Sequence, residues 1–248
     1  MIQTKPNPIA KGLSADDWGM SPSVNQGILQ LARRGVLKKV SLLINAAFAS
    51  NGLDELRDIP GLTICLHVSF TFEGLFPSPR ALMSALHAPS ARRRAETRRV
   101  LRGEFLRQSE RFSALGLGMN EFDSHHHVHL FPGMASILAQ AGERAGFQAV
   151  RILRRHERFS RPFRDRALEA FSKHSESTYA AAGLRLAPAL LVDSSRLREA
   201  AQLRALLLQD AGTAVLIHPA TEDDFDRVGC KDAYREPRVH EFQLALRL

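Results

Sequence analysis

Short apolar runs alternate with helical periods along most of this chain, and that alternation limits the fold more than any other feature. Residues 13–15 read as the end of a first strand. Ser21-Pro22 follows as a helix N-cap with proline at the first helical position. Val24, Ile28 and Leu31 give that helix one apolar face, and Gly35 is its stop. Residues 40–44 and 62–68 are a second and a third strand, and a fourth runs from Phe122 toward Leu130. Ile137, Leu138 and Ala141 mark a helix ending near Gly146. Residues 149–152, 189–192 and 213–217 supply three more strands. Asp193 or Ser194 caps a helix through Leu197, Ala200, Leu203 and Leu207 that ends near Gly212. Strand and helix in turn predict a parallel sheet with helical crossovers. About seven such units predict an α/β fold, a single-domain (β/α) barrel of about seven parallel strands. The length, 248 residues, suits one such domain. Residues 72–95 hold no clear strand and read as an insertion or lid loop, and residues 1–8 as a loose lead-in.

Composition excludes more than it assigns. Apolar residues make up 44% and charged residues 24%, a globular balance. No apolar run is long enough for a membrane span and no signal-peptide pattern is found, so the cytoplasm is the expected compartment. Cys65 and Cys230 make no disulfide framework. The net charge of +8 comes largely from arginine, with eight between Arg92 and Arg111 and a second group from Arg151 to Arg166. The first group lies opposite Val100, Leu101, Phe105, Phe112 and Leu115 on a helical pattern. It reads as a solvated helix face, and nucleic acid is not an expected partner. The sequence leaves room for a homo-oligomer.

Polar residues gather where strands end. Asp16 and Asp17 end the first strand and His67 the third. Asp123, His125, His126, His127 and His129 occupy the fourth and its exit, Arg151 lies in the fifth, and His218 follows the seventh. In parallel α/β folds functional groups collect at the carboxyl ends of strands. One acid of the Asp16-Asp17 pair can hold a cation while its neighbour stays free as a base; either alone can equally cap the next helix. His67 alone reads as a hydrogen-bonded core residue. The histidine-rich stretch is the strongest signal, because burying so many imidazoles without partners is costly. A regular strand would put His125, His127 and His129 on one face and His126 on the other. One metal site needs fewer imidazoles than this, so some must contact substrate or fix the ligands' tautomers. His218 precedes Pro219, which ends the strand and aims the imidazole over the rim.

Taken in order, Ala15-Asp16-Asp17-Trp18-Gly19-Met20-Ser21, Leu66-His67, Asp123-Ser124-His125-His126-His127-Val128-His129 and Ile217-His218-Pro219 resemble the YdjC-like carbohydrate deacetylases, especially the chitooligosaccharide deacetylase type. The resemblance implies a distorted (β/α) barrel that removes N-acetyl groups from acetylated amino sugars and releases acetate. It implies one divalent metal ion on Asp17, His67 and His125, a general base at Asp16 oriented by Arg151, and a catalytic acid at His218. His127, His129, Asp123 and Trp18 are then expected to contact substrate or support the ligands. The family points to magnesium, whereas two imidazoles with one carboxylate also suit zinc. Other readings are a different metal-dependent barrel hydrolase, of amidohydrolase or phosphoesterase type, and a non-catalytic sugar- or nucleic-acid-binding protein.

Overall fold

The structure, a computed structural model, describes residues 12–161, 163–209, 212–232 and 234–248. The lead-in expected over residues 1–8 lies outside them. Seven strands, β1 (Leu13–Trp18), β2 (Leu37–Leu42), β3 (Thr63–Val68), β4 (Glu121–Ser124), β5 (Ala149–Arg155), β6 (Arg185–Leu191) and β7 (Ala214–Ile217), form a closed barrel in chain order. Every neighbouring pair is parallel, and β1 pairs with β7 to close it. The barrel expected from the alternation is therefore present.

Helices connect the strands: α1 (Pro22–Arg33), α2 (Leu53–Arg57), α3 (Pro79–Leu86), α4 (Ala91–Ala114), α5 (Ala135–Arg144), α6 (Arg164–Ala181), α7 (Ala200–Gln209) and α8 (Arg235–Ala245). α1 begins as its residues dictate, with the Ser21 hydroxyl accepting from the Val24 N–H and Pro22 in the first turn. The Arg-rich α4 turns Leu101, Phe105 and Phe112 to the core. No helix among the described residues is long and apolar enough to cross a membrane.

Two local expectations are corrected. The fourth strand does not continue to Leu130: it ends at Ser124, and tight turns follow over His125–Leu130. His126 and His127 have φ of 57° and 55°, which no extended strand contains. Asp193 caps only the single turn Ser194–Arg196, and the longer helix starts later, at Ala200. Residues 72–95 hold no strand, but they carry α3 and the start of α4, each capped by a serine hydroxyl, Ser78 and Ser90.

The barrel lumen is polar. Arg151 on β5 reaches Ser14 on β1, Ser41 on β2 and Asp123 on β4, and contacts between strands that are not neighbours must cross the lumen. Lower in the lumen Lys39 meets Glu121 at 2.5 Å. The alternate residues of these strands, such as Val40, Leu42, Leu66 and Phe122, are buried in the apolar core. One strand set thus supplies the core with one face and a charged network with the other.

Candidate active site

β1 delivers two consecutive acids to one place. Between Ala15 and Trp18 the strand advances three residues against two of β2, a bulge, and Asp17 takes φ of 73°. A regular strand would send adjacent side chains to opposite faces; a bulge re-aims one of them. A non-glycine residue held left-handed costs about 1–3 kcal/mol, a strain that clusters at functional sites. Asp16 receives Arg151 Nη1 at 2.8 and 2.6 Å on its two oxygens. Asp17 instead faces two histidines: Oδ1 lies 3.2 Å from His67 Nε2 and 2.9 Å from His125 Nδ1.

His67 is oriented from behind. Its Nδ1–H donates to Asp123 Oδ1, which leaves Nε2 toward Asp17. Asp123 is itself fixed through Oδ2 by the Ser41 hydroxyl at 2.9 Å and by Arg151 Nη2 at 2.5 Å. A carboxylate behind an imidazole that faces a cation site fixes its tautomer and orientation. Burial alone would push the His67 imidazole down, but Asp123 and Asp16 outweigh it and lift it to about 10. Burial likewise opposes charge on Asp17, yet His125 and Arg238 hold its carboxyl well below the usual range.

The histidine-rich turn separates its members. His125 alone joins Asp17 and His67, with rings of His67 and His125 5.8 Å apart. His126 bonds Thr71 through Nδ1 at 2.8 Å. His129 accepts the Ser124 hydroxyl at Nδ1 and reaches the Arg151 carbonyl with Nε2, so it braces the backbone of β4 and β5. Burial lowers the imidazoles of His126 and His129 to about 4 and that of His127 well below its ordinary value. From the outer layer, the Tyr179 hydroxyl of α6 donates to the His129 carbonyl at 2.7 Å and Ser175 to that of Leu130 at 3.0 Å. Trp18 stands apart from this cluster. Its indole is fully buried and donates to the Ala49 carbonyl at 3.0 Å.

His218 follows β7 on the same rim, with Nε2 4.0 Å from Asp16 Oδ2. Its side chain is 22% exposed against 1% for Asp16, which makes it the more reachable of the two. Residues that the sequence did not mark hold it. Glu241 Oε2 accepts the His218 backbone N–H and lies 3.7 Å from its Nδ1. Glu241 Oε1 accepts the Tyr234 hydroxyl at 2.6 Å, and the Tyr234 ring packs 5.2 Å from the imidazole. Burial opposes protonation of His218, but Glu241 reverses this and raises its pKa. A third unmarked residue, Arg238, donates to Asp17 Oδ2 at 2.7 Å. Tyr234, Arg238 and Glu241 are spaced by four and three along α8 and its approach, one helical face.

Asp17, His67 and His125 offer ligand atoms within 4.8 Å of one another, all buried. Asp16, His67 and Asp123 meet the same distance limit, but there Arg151 already occupies both carboxylates. The first set fits a divalent cation on its donor chemistry: one carboxylate, two imidazoles, and an acid behind one imidazole.

The YdjC-like protein family matches residues 12–246 of the chain. A carbohydrate deacetylase of Vibrio cholerae is 31% identical over 136 residues, 53% of this chain and 54% of the relative. The chain thus spans about half the length of that relative. One from Geobacillus stearothermophilus is 31% identical over 163 residues, 64% of each chain. A chitooligosaccharide deacetylase of Salmonella paratyphi B is 28% identical over 242 residues, 94% of this chain and 88% of the relative. Among solved structures, an Enterococcus faecalis protein described as acting in cellobiose-phosphate cleavage superposes with a TM-score of 0.65 at 20% identity, covering 94% of this chain and 89% of its own. That likeness is one of fold. With the family's match running from the first barrel strand to the last helix, over the acids, the histidines and the closing rim, the chain belongs to the YdjC-like family.

Proposed function

We propose that this chain is a metal-dependent deacetylase that hydrolyses the acetamide of an N-acetylated amino sugar, a chitooligosaccharide or related glycan, to acetate and the free amine. The observation that carries the reading is the division of labour between adjacent acids: Asp16 is tied to Arg151, while Asp17 faces two imidazoles. The names of the relatives and the family support the same chemistry.

Asp17, His67 and His125 would hold one divalent ion, magnesium by family resemblance or zinc by donor set. When bound, such an ion supplies Lewis acidity, polarising the acetyl carbonyl and easing deprotonation of the attacking water. Asp16 accepts the proton of that water. Arg151 holds the Asp16 carboxylate through both oxygens, so the base cannot rotate away from the site. Asp123 keeps the His67 tautomer. His218 carries the second proton: Glu241 beside it raises its pKa, which favours the protonated imidazole, and it donates to the departing sugar nitrogen. Glu241 and Tyr234 set its orientation. A panel of N-acetylated sugars set against phosphoesters tests the reading. Acetate release from the sugars supports it; turnover confined to phosphoesters overturns it.

A further inference from the structure

Arg238 ties the last helix to the proposed metal site. It is 1% exposed and its guanidinium is gripped from several sides. Nε donates to Asp232 at 2.5 Å, Nη2 donates to Asp17 Oδ2 at 2.7 Å and lies 3.2 Å from Met20 Sδ, and the Phe225 ring sits 5.6 Å from Cζ. A buried guanidinium needs a carboxylate partner, and Asp232 alone would meet that need. Asp17 is nonetheless paired as well, on the oxygen turned away from the histidines.

The two oxygens of Asp17 are therefore divided. Oδ1 faces His67 Nε2 and His125 Nδ1, and Oδ2 faces Arg238. The bulge at Asp17 aims the carboxylate into this site, and its contacts then divide the two oxygens. A carboxylate beside two imidazoles with neither oxygen restrained can offer both to a cation. Arg238 reaches Asp232 with Nε and Asp17 with Nη2, a two-nitrogen bridge that a lysine ammonium does not reproduce.

We propose that Arg238 is a positioning residue that restricts Asp17 to one-oxygen ligation, leaving Oδ1 alone for the cation. The inference rests on Asp17, His67 and His125 being the metal ligands. A site limited to one carboxylate oxygen and two imidazoles keeps positions open for water and substrate, as a catalytic site requires.

The test loads the metal-free full chain with Co²⁺ and records the visible d–d spectrum and the Kd for wild type, Arg238→Met and Arg238→Lys. Arg238→Met should alter the band positions or intensities at saturation, as the ligand oxygens change, and weaken Kd by about 10- to 100-fold. Arg238→Lys keeps a cation for Asp232 and so covers the case in which the methionine variant fails to fold; it should show the same spectral change to a smaller extent. A folded variant with the wild-type spectrum at saturation overturns the proposal whatever its affinity, because a merely structural role leaves the coordination unchanged. Wild-type protein that takes up no Co²⁺ would instead overturn the metal reading, and this inference with it.

Discussion

Asp16 and Asp17 share a peptide bond but answer to different arginines: Arg151 from β5 grips the first and Arg238 from α8 the second. The bulge between Ala15 and Trp18 makes this separation possible. Each acid then has one neighbourhood and one proposed task.

The ligand assignment predicts that His125→Ala abolishes stoichiometric metal binding. His126 and His129 should not substitute, since His126 is bonded to Thr71 and His129 to Ser124 and Arg151. Elemental analysis of the purified variant checks this. Full metal retention would move the ligand role to another histidine of the turn.

Asp16→Asn should keep the metal and lose turnover. Asparagine preserves shape without basicity, and losing a positioned base lowers rate by about 10²- to 10⁴-fold. Near-normal kcat in that variant would remove Asp16 from the mechanism.

The proposed acid has a pH signature. Glu241 raises the pKa of His218, and the imidazole can donate only while protonated, so activity should fall as pH rises through that pKa. Glu241→Gln removes the charge that raises it, so the alkaline limb should move to lower pH. His218→Ala should flatten the limb and lower kcat with metal content unchanged. A limb that stays in place in Glu241→Gln would show that another group sets it.

Packing behind the site gives a stability prediction. Gly142 lies on α5, where alanine would normally gain about 1 kcal/mol of helix propensity. A Cβ there would come 2.6 Å from Phe122 Cε1, and that ring is enclosed by Phe105, Phe147 and Tyr179. Overpacking costs about 1–3 kcal/mol and should win. Gly142→Ala should lower Tm by a few degrees in calorimetry; a raised Tm would mean that the cluster yields.

The parts legible in the sequence were those where local chemistry and tertiary position agree. Ser21-Pro22 opens α1 as its cap predicts, and the acids, His67, His125, Arg151 and His218 all come to one rim. The turn after Ser124 was hidden because alternating residues suit a strand as well as a tight turn; the Ser124 hydroxyl, which accepts the His129 N–H, decides between them. α6 and α8 escaped because their buried faces carry polar groups. α6 buries Ser172 and Ser175 beside Leu168 and Tyr179, and α8 buries Arg238 and Glu241 beside Phe242. Apolar periodicity does not register such helices, although the spacing of Tyr234, Arg238 and Glu241 is a helical one. Ser78-Pro79 repeated the signature of Ser21-Pro22 and marks the start of α3.

The most direct measurement is acetate release from N-acetylglucosamine oligomers by the wild-type chain, before and after a chelator, and again after a divalent metal is restored. We expect release that stops with the chelator and returns with the metal. Release that continues at the same rate after the bound metal has been removed, or no release with any divalent ion supplied, would contradict a metal-dependent deacetylase.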